Sequence, residues 1–347
     1  MPTNKLNLTR RRLLRWYGQN RRALPWRRTR DPYAIWVAET MLQQTQVKTV
    51  LPYYSRFLKA FPKLKDLAQT RRQKVLALWS GLGYYRRAEN FIRAARLILK
   101  EHGGNIPRDY RRLRNLPGIG PYTAGALMSI AFGQPYPALD GNARRVLGRA
   151  LNVRKERNLQ KIAQELVSGP RPGHLNQALM ELGATVCQSR DPNCPRCPLA
   201  PSCAARSSGE LRLHGAPRRK SQPVYVDWPL ALIQSDGRLL IRRRPKGGIL
   251  GGLWDLPGGE SKKGEGPKSA LKRHLDELNG QVNFISRVGE IRHSITYRRI
   301  RAPVYCLVAK KKRRLPSSHW RWVSISALPR YPLSSLTLKA VRLFGRP

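Results

Sequence analysis

Apolar positions in the first two hundred residues recur every three or four places, the period of one face of an α-helix. Leu13, Leu14, Trp16 and Tyr17 predict a first helix packed on the body of the protein. Ile35, Ala38, Met41, Leu42 and Thr45 mark the buried stripe of a second. Residues 86–101 read as another amphipathic helix, and helical signal returns over 158–167 and 175–186. Between these lies LPGIGP (116–121), with Leu113 and Leu116 before it and Ala124, Leu127, Met128 and Phe132 after it. Pro117-Gly118 and Gly120-Pro121 suit a tight turn, because glycine tolerates positive φ and proline presets the start of a turn or helix. The pattern therefore predicts a helix-hairpin-helix. Beyond Val224 it changes: 224–234, 238–245, 302–310 and 320–325 read as strands, 268–278 and 334–344 as helices. The expectation is a mainly α domain over 1–205, a linker rich in Ser, Arg, Gly and Pro over 206–223, and an α/β domain over 224–347.

Charge changes the picture. The 347 residues carry 67 Lys+Arg against 20 Asp+Glu, a net charge of +47, with a pI near 11.4. A polyanion is the expected partner, and nucleic acid is favoured over a membrane surface because no long apolar run accompanies the charge. No stretch reaches the roughly 18 apolar residues of a membrane span, and the first seven residues are too polar for a secretory signal. The acid-free, Arg-rich first thirty residues also resemble a transit peptide in composition, a reading that competes with a packed first helix. Four of the five cysteines, Cys187, Cys194, Cys197 and Cys203, are interleaved with Pro192, Pro195, Pro198 and Pro201. They predict a metal or cluster knuckle in a reducing cytoplasm rather than a disulfide framework. Structural zinc competes, although zinc knuckles usually pair two short C-x₂₋₄-C hooks and this chain has one. Cys306 falls in a predicted strand and reads as packing.

Several polar residues sit where they need an explanation. Glu39 falls on the apolar stripe, four after Ile35 and three before Leu42. A carboxylate there must be salt-bridged or kept partly protonated, since desolvation raises an acid's pKa. Asp140, followed by Gly141 and Asn142 and then by Arg144 and Arg145, is either a turn residue or a second functional acid. Tyr84 and Tyr85 beside Arg86 and Arg87 suit base stacking next to phosphate contacts, or else ordinary packing. Trp26, in Leu24-Pro25-Trp26-Arg27, is pocket lining or core. Amides of the 116–121 hairpin, with the positive end of the following helix, make a seat for a phosphate, unless the stretch is a plain interhelical turn. The run Lys310-Lys311-Lys312-Arg313-Arg314 reads as a hairpin tip, solvated or touching phosphate.

With LPGIG, Asp140, Glu39-Thr40-Met41-Leu42-Gln43-Gln44-Thr45 and the cysteine spacing, the chain resembles the helix-hairpin-helix DNA glycosylases that carry an iron–sulfur loop. Tyr122, where the endonuclease III branch has a lysine, makes it similar to the adenine-removing MutY branch. The resemblance implies a [4Fe–4S] cluster on Cys187, Cys194, Cys197 and Cys203, structural in role, its loop holding Arg190 and Arg196 against the DNA backbone. It implies that Arg22, Trp26, Arg27 and Leu42 surround an extruded base, that Gln44 and Thr45 enter the duplex, that Tyr84 is a wedge, and that Gly118 and Gly120 belong to the phosphate seat. Glu39 is then the general acid/base and Asp140 the stabiliser of an oxocarbenium-like sugar, with Tyr122 bonding to both reacting partners and Asn142 orienting water or carboxylate. The implied activity is hydrolytic removal of adenine mispaired with 8-oxoguanine or guanine in double-stranded DNA, by a monomeric, cytoplasmic, nucleoid-associated protein.

In the C-terminal part, Gly259, Glu265, Arg273, Glu277 and Gly280 stand at Nudix-box spacings, but His274 and Leu278 replace metal-binding glutamates. Without those carboxylates a magnesium site for pyrophosphate hydrolysis is undermined, and the domain resembles the degenerate recognition domain of the MutY family. After Arg292-His293, where many relatives carry Phe-Ser-His to read 8-oxoguanine, this chain has Ile295-Thr296-Tyr297. Thr296 can supply the hydroxyl; Tyr297 does not reproduce an imidazole. Two rival readings are a bifunctional glycosylase/lyase and a non-catalytic iron–sulfur protein that binds DNA structure. The first needs an amine nucleophile, which Arg144 and Arg145 cannot provide because guanidinium stays protonated. Release of free base separates the second. A zinc base deaminase lacks its His-x-Glu.

Overall fold

A computed structural model describes residues 3–211, 222–245, 247, 249–278, 282–309, 315 and 317–344. In chain order the helices are α1 (Thr3–Asn20), α2 (Pro32–Leu42), α3 (Val47–Ala60), α4 (Leu64–Gln69), α5 (Arg72–Leu78), α6 (Arg86–His102), α7 (Tyr110–Asn115), α8 (Pro121–Ala126), α9 (Gly141–Leu151), α10 (Glu156–Val167), α11 (Pro172–Thr185), α12 (Ala204–Ser207), α13 (Pro267–His274) and α14 (Ser335–Phe344). The strands are β1 (Val224–Asp227), β2 (Leu230–Ser235), β3 (Arg238–Arg243), β4 (Trp254–Asp255), β5 (Val282–Ile295), β6 (Arg298–Ala309) and β7 (Trp320–Ser324). The chain divides into two units, residues 1–69 with 90–218 and residues 70–89 with 219–347. The sequence pattern had placed 70–89 in the first domain. Most of the expected linker, together with Gly280 and Lys310 to Arg314, lies outside the described residues.

The first unit is helical. Leu13 and Tyr17 of α1 pack with Leu147 of α9, Leu166 of α10 and Leu175 and Leu179 of α11, and Leu199 of the cysteine loop joins them. Each such side chain contributes roughly 1.5–3 kcal/mol when fully buried. Helix α2 starts where Pro32 follows Asp31, whose carboxylate accepts from the amides of Tyr33 and Ala34. Every residue from Tyr33 to Met41 is buried, so the expected single stripe was too narrow. The reason is that α3, α8 and the turn after α8 pack around it, and a helix enclosed on all sides is apolar on all sides. It ends at Leu42, leaving Thr45 beyond the helix.

The helix-hairpin-helix forms as expected. Gly118 has φ +79, and a Cβ there would sit 2.8 Å from the Cβ of Asn90, so the turn requires glycine on both counts. Helix α8 is not continuous to Phe132: after Ala126 it widens into one π-helical turn, Leu127–Ala131. There Gly173 of α11 packs directly on the backbone, its missing Cβ leaving only 2.5 Å to the Ser129 carbonyl oxygen.

In the second unit a mixed seven-stranded sheet runs β1-β6-β2-β3-β4, with β5 pairing β6 and β7 pairing β3. The single strand expected over 224–234 is two, broken at Trp228-Pro229, where proline has no amide to donate; both halves run parallel to β6. Period-two alternation supplies two cores: Leu230, Leu232, Leu239 and Ile241 face Leu336 and Ala340 of α14, and Ala231, Ile233 and Leu240 face Leu271 of α13. Residues 70–89 join this unit through Ser80 and Tyr85, whose hydroxyls donate to the Leu333 carbonyl at 2.7 and 2.8 Å. The Nudix-box acids are tied to cations: Glu265 is forked to Arg273, and Glu277 lies between Arg242 and the Trp320 indole. His274 sits beside the Glu260 carbonyl, and Leu278 is buried.

Candidate active site

In the first unit a cavity of about 1070 Å³ opens between the end of α2, the hairpin, the start of α9 and the second half of α11. The fold brings together in its lining Glu39, Asp140, Tyr122 and Asn142, and also Arg22, Trp26, Arg27, Leu42, Gln44, Thr45, Gly118 and Gly120. These residues span 120 positions of sequence; the helical packing collects them.

Glu39 is 5 % exposed. Of its two expected solutions the structure takes the second: among the described residues no cation forms a salt bridge with it, and the Tyr122 hydroxyl donates to its Oε2 at 2.5 Å. Burial pushes the Glu39 carboxyl up to about 7; the Tyr122 bond and Arg27 pull it down, while the charge of Asp140 adds to the rise. Burial likewise drives the Tyr122 phenol well above its ordinary value, so Tyr122 stays a donor. Its oxygen also lies 3.6 Å from the sulfur of Met180.

Asp140 is both cap and pocket acid. One oxygen accepts from the Ala143 amide at 2.7 Å, starting α9, and the other accepts from the Asn142 amide nitrogen Nδ2 at 2.8 Å. Burial raises its carboxyl above the ordinary value, and the bonds from Ala143 and Asn142 and the charge of Arg145 limit that rise. Two acids thus face one cavity in unlike surroundings, one bonded only to a phenol and the other held by a helix start and an amide.

Glu181 carried no sequence signal of its own. Its side chain is fully buried in the cavity wall, where it binds Arg22 through Nε and Nη2 at 2.8 and 2.7 Å and Arg27 through Nη2 at 2.7 Å. Burial alone would raise Glu181, but these bonds outweigh it and hold the carboxyl near 2. The two arginines are therefore fixed side by side in the wall. Trp26 packs edge-on against Tyr54 at 5.2 Å. Gln43, also missed, donates to Thr123 at 3.2 Å and ties the end of α2 to α8.

All four clustered cysteines line one small pocket. Among the described residues no group of three or more His, Cys, Asp or Glu converges as a single-ion site. Four cysteine thiols around one pocket are a soft donor set of the kind that holds a metal or an iron–sulfur cluster. Arg149, only 2 % exposed, braces this loop by donating to the carbonyls of Gln188, Ser189 and Leu211 and to the Cys187 sulfur at 3.5 Å. Arg145 donates to the Cys187 carbonyl at 2.8 Å and to Asn142 Oδ1 at 2.8 Å. Gly183 lets α11 approach that corner, since a Cβ would come within 2.6 Å of the Asn142 Cβ. Arg190 and Arg196 are exposed.

The remaining expected residues belong to the second unit. Tyr84 is 47 % exposed with the Arg87 guanidinium 5.4 Å from its ring centre, while Tyr85 is the packing tyrosine. Thr296, at φ 54, and Tyr297, 44 % exposed, form the turn between β5 and β6.

Comparison with known proteins gives the same two parts. Residues 37–172 match the HhH-GPD superfamily of base excision DNA repair proteins, and residues 230–343 match the NUDIX domain. The chain is 34 % identical to an adenine DNA glycosylase of Rattus norvegicus over 90 % of this chain and 73 % of that protein. It is 33 % identical to one from Buchnera aphidicola (subsp. Acyrthosiphon pisum), over 82 % and 83 %. Among solved structures, a thermostable thymine-DNA glycosylase superposes with a TM-score of 0.56 at 30 % identity, covering 60 % of this chain and all of that one. A trapped endonuclease III–DNA intermediate, at 21 % identity and TM-score 0.53, shares the fold over 60 % of this chain and 99 % of its own.

Proposed function

The chain belongs to the adenine DNA glycosylases of MutY type, enzymes of base excision repair, and from that premise we propose how its own residues carry the reaction and which cofactor and mispairs it takes. The target adenine leaves the stack, at a cost of only a few kcal/mol when the pair is already mismatched, and enters the 1070 Å³ cavity. Glu39, near 7 and so close to half protonated at neutral pH, donates its proton to the adenine ring and makes it a better leaving group. Tyr122 steadies the Glu39 carboxyl through the 2.5 Å bond. Asp140, anchored at the start of α9, holds negative charge against the oxocarbenium-like sugar, and Asn142 fixes its orientation. Glu39, having given up its proton, takes one from the attacking water. No lysine follows the hairpin, which favours simple hydrolysis over strand cleavage. The observation that carries this reading is a buried glutamate with no salt-bridge partner among the described residues, facing Asp140 across one cavity.

Cys187, Cys194, Cys197 and Cys203 would hold a [4Fe–4S] cluster, whose contribution is structural; four soft thiols around one pocket, braced by Arg149, fit that group. Adenine opposite guanine and opposite 8-oxoguanine are the proposed substrates, with Thr296 and Tyr297 reading the opposite base, and the protein acts as a monomer on double-stranded DNA. The test is single-turnover release of free adenine from duplexes pairing it with guanine, 8-oxoguanine or thymine. Wild type should release adenine from the first two without cutting the strand. Asp140→Asn, a good helix cap in its own right, should bind the mispair and release nothing. An Asp140→Asn protein with undiminished release would remove Asp140 from the chemistry.

A further inference from the structure

Tyr122 has one hydroxyl proton and two neighbours that can accept it, Glu39 Oε2 at 2.5 Å and the Met180 sulfur at 3.6 Å. A phenol donates once but can also accept, so the arrangement has two settings. With Glu39 ionised, Tyr122 donates to it and Met180 is an idle contact. With Glu39 protonated, the carboxylic O–H can donate to the Tyr122 oxygen, provided that the phenolic proton turns to another acceptor. In this wall that acceptor is the Met180 thioether. We propose that Met180 is a positioning residue: by receiving the Tyr122 proton it stabilises the protonated form of Glu39, the form that acts as acid.

The surroundings support this. Glu39 is enclosed, and the titratable and charged groups facing it are Tyr122 from α8, Asp140 at the start of α9 and Arg27 from the turn before α2. On α11, one residue beyond Met180, Glu181 is committed to Arg22 and Arg27. Among the described residues none of these gives the Tyr122 hydroxyl a second acceptor; Met180 does. A leucine would fill the same space without the acceptor, and such volume-conserving exchanges cost little stability. Thioether sulfur is a weak acceptor, so the effect is tuning, not gating.

The inference rests on the proposed role of Glu39, and the experiment separates the two. Single-turnover adenine release is measured from pH 5 to pH 9 for wild type, Met180→Leu and Met180→Gln. If wild type releases no adenine, the reading of the site fails. If it does, Met180→Leu should match wild type on the acidic plateau and fall about two- to fivefold below it on the alkaline limb, the size of one modest hydrogen bond. Its inflection thus moves to lower pH. Met180→Gln, which restores an acceptor, should return the inflection to the wild-type position or above. In a Tyr122→Phe background, exchange of Met180 for leucine should leave the inflection where it was. An unchanged inflection in Met180→Leu, or an equal shift with and without the Tyr122 hydroxyl, overturns the proposal. A uniform loss of rate across pH assigns Met180 to packing alone and overturns it as well.

Discussion

At the scale of the residue, the molecule places an acid where it destabilises the fold. Glu39 has an ordinary value of 4.5 and a folded value of about 7. In the unfolded chain it loses its proton earlier, so between these two values stability falls as pH rises, by roughly 3 kcal/mol in all. Below about 4.5 the contribution is fully present; above about 7 it is gone. Glu39→Gln should therefore release no adenine yet unfold at higher denaturant than wild type at pH 8, the advantage vanishing toward pH 4.5. Equal stability of the two proteins at pH 8 would show that the carboxylate is solvated. The sequence exposed Glu39 through its place on an apolar stripe. It did not expose Glu181, because an acid that belongs to no motif looks like any surface glutamate until Arg22 and Arg27 converge on it.

At the scale of the element, the hairpin is the most demanding piece of backbone. Gly118→Ala puts a Cβ at positive φ and into Asn90; strain of this kind costs about 1–3 kcal/mol. The expected outcome is a lower melting temperature, with weaker binding to matched and mismatched duplex alike, as a phosphate seat that touches no bases requires. Loss of discrimination at unchanged overall affinity would contradict that. Helix periodicity revealed α6, α10 and α11 to within a few residues. It failed at the π-helical turn after α8, where the contact with Gly173 lies 44 residues away in sequence. It failed also at β5, whose exposed residues and two bulges break the alternation that marks a strand.

At the scale of the whole molecule, net charge dominates association. With +47 on the chain, binding to duplex should weaken steeply as salt rises, each phosphate contact contributing a slope of about −0.9 in log K against log salt. Matched and mismatched duplexes should lose affinity in parallel, because charge does not read bases. A salt-independent affinity would mean that the basic residues lie away from DNA. Many of them are already engaged, as Arg72 is with Glu89, Arg144 with Glu156 and Arg301 with Asp227, so fewer phosphates are contacted than the composition alone suggests.

By itself the sequence determined the two fold classes, the hairpin and the cysteine loop, and it singled out Glu39 and Asp140, since each is written in local spacing or in a residue type out of keeping with its neighbours. Tertiary structure alone decided that Glu39 meets the phenol of Tyr122 instead of a salt-bridging arginine, that Arg149 braces the cysteine loop, and that residues 70–89 fold with the C-terminal sheet. Those outcomes depend on which distant backbones approach one another, and close approach is set by packing over the whole unit rather than by any pattern along the chain.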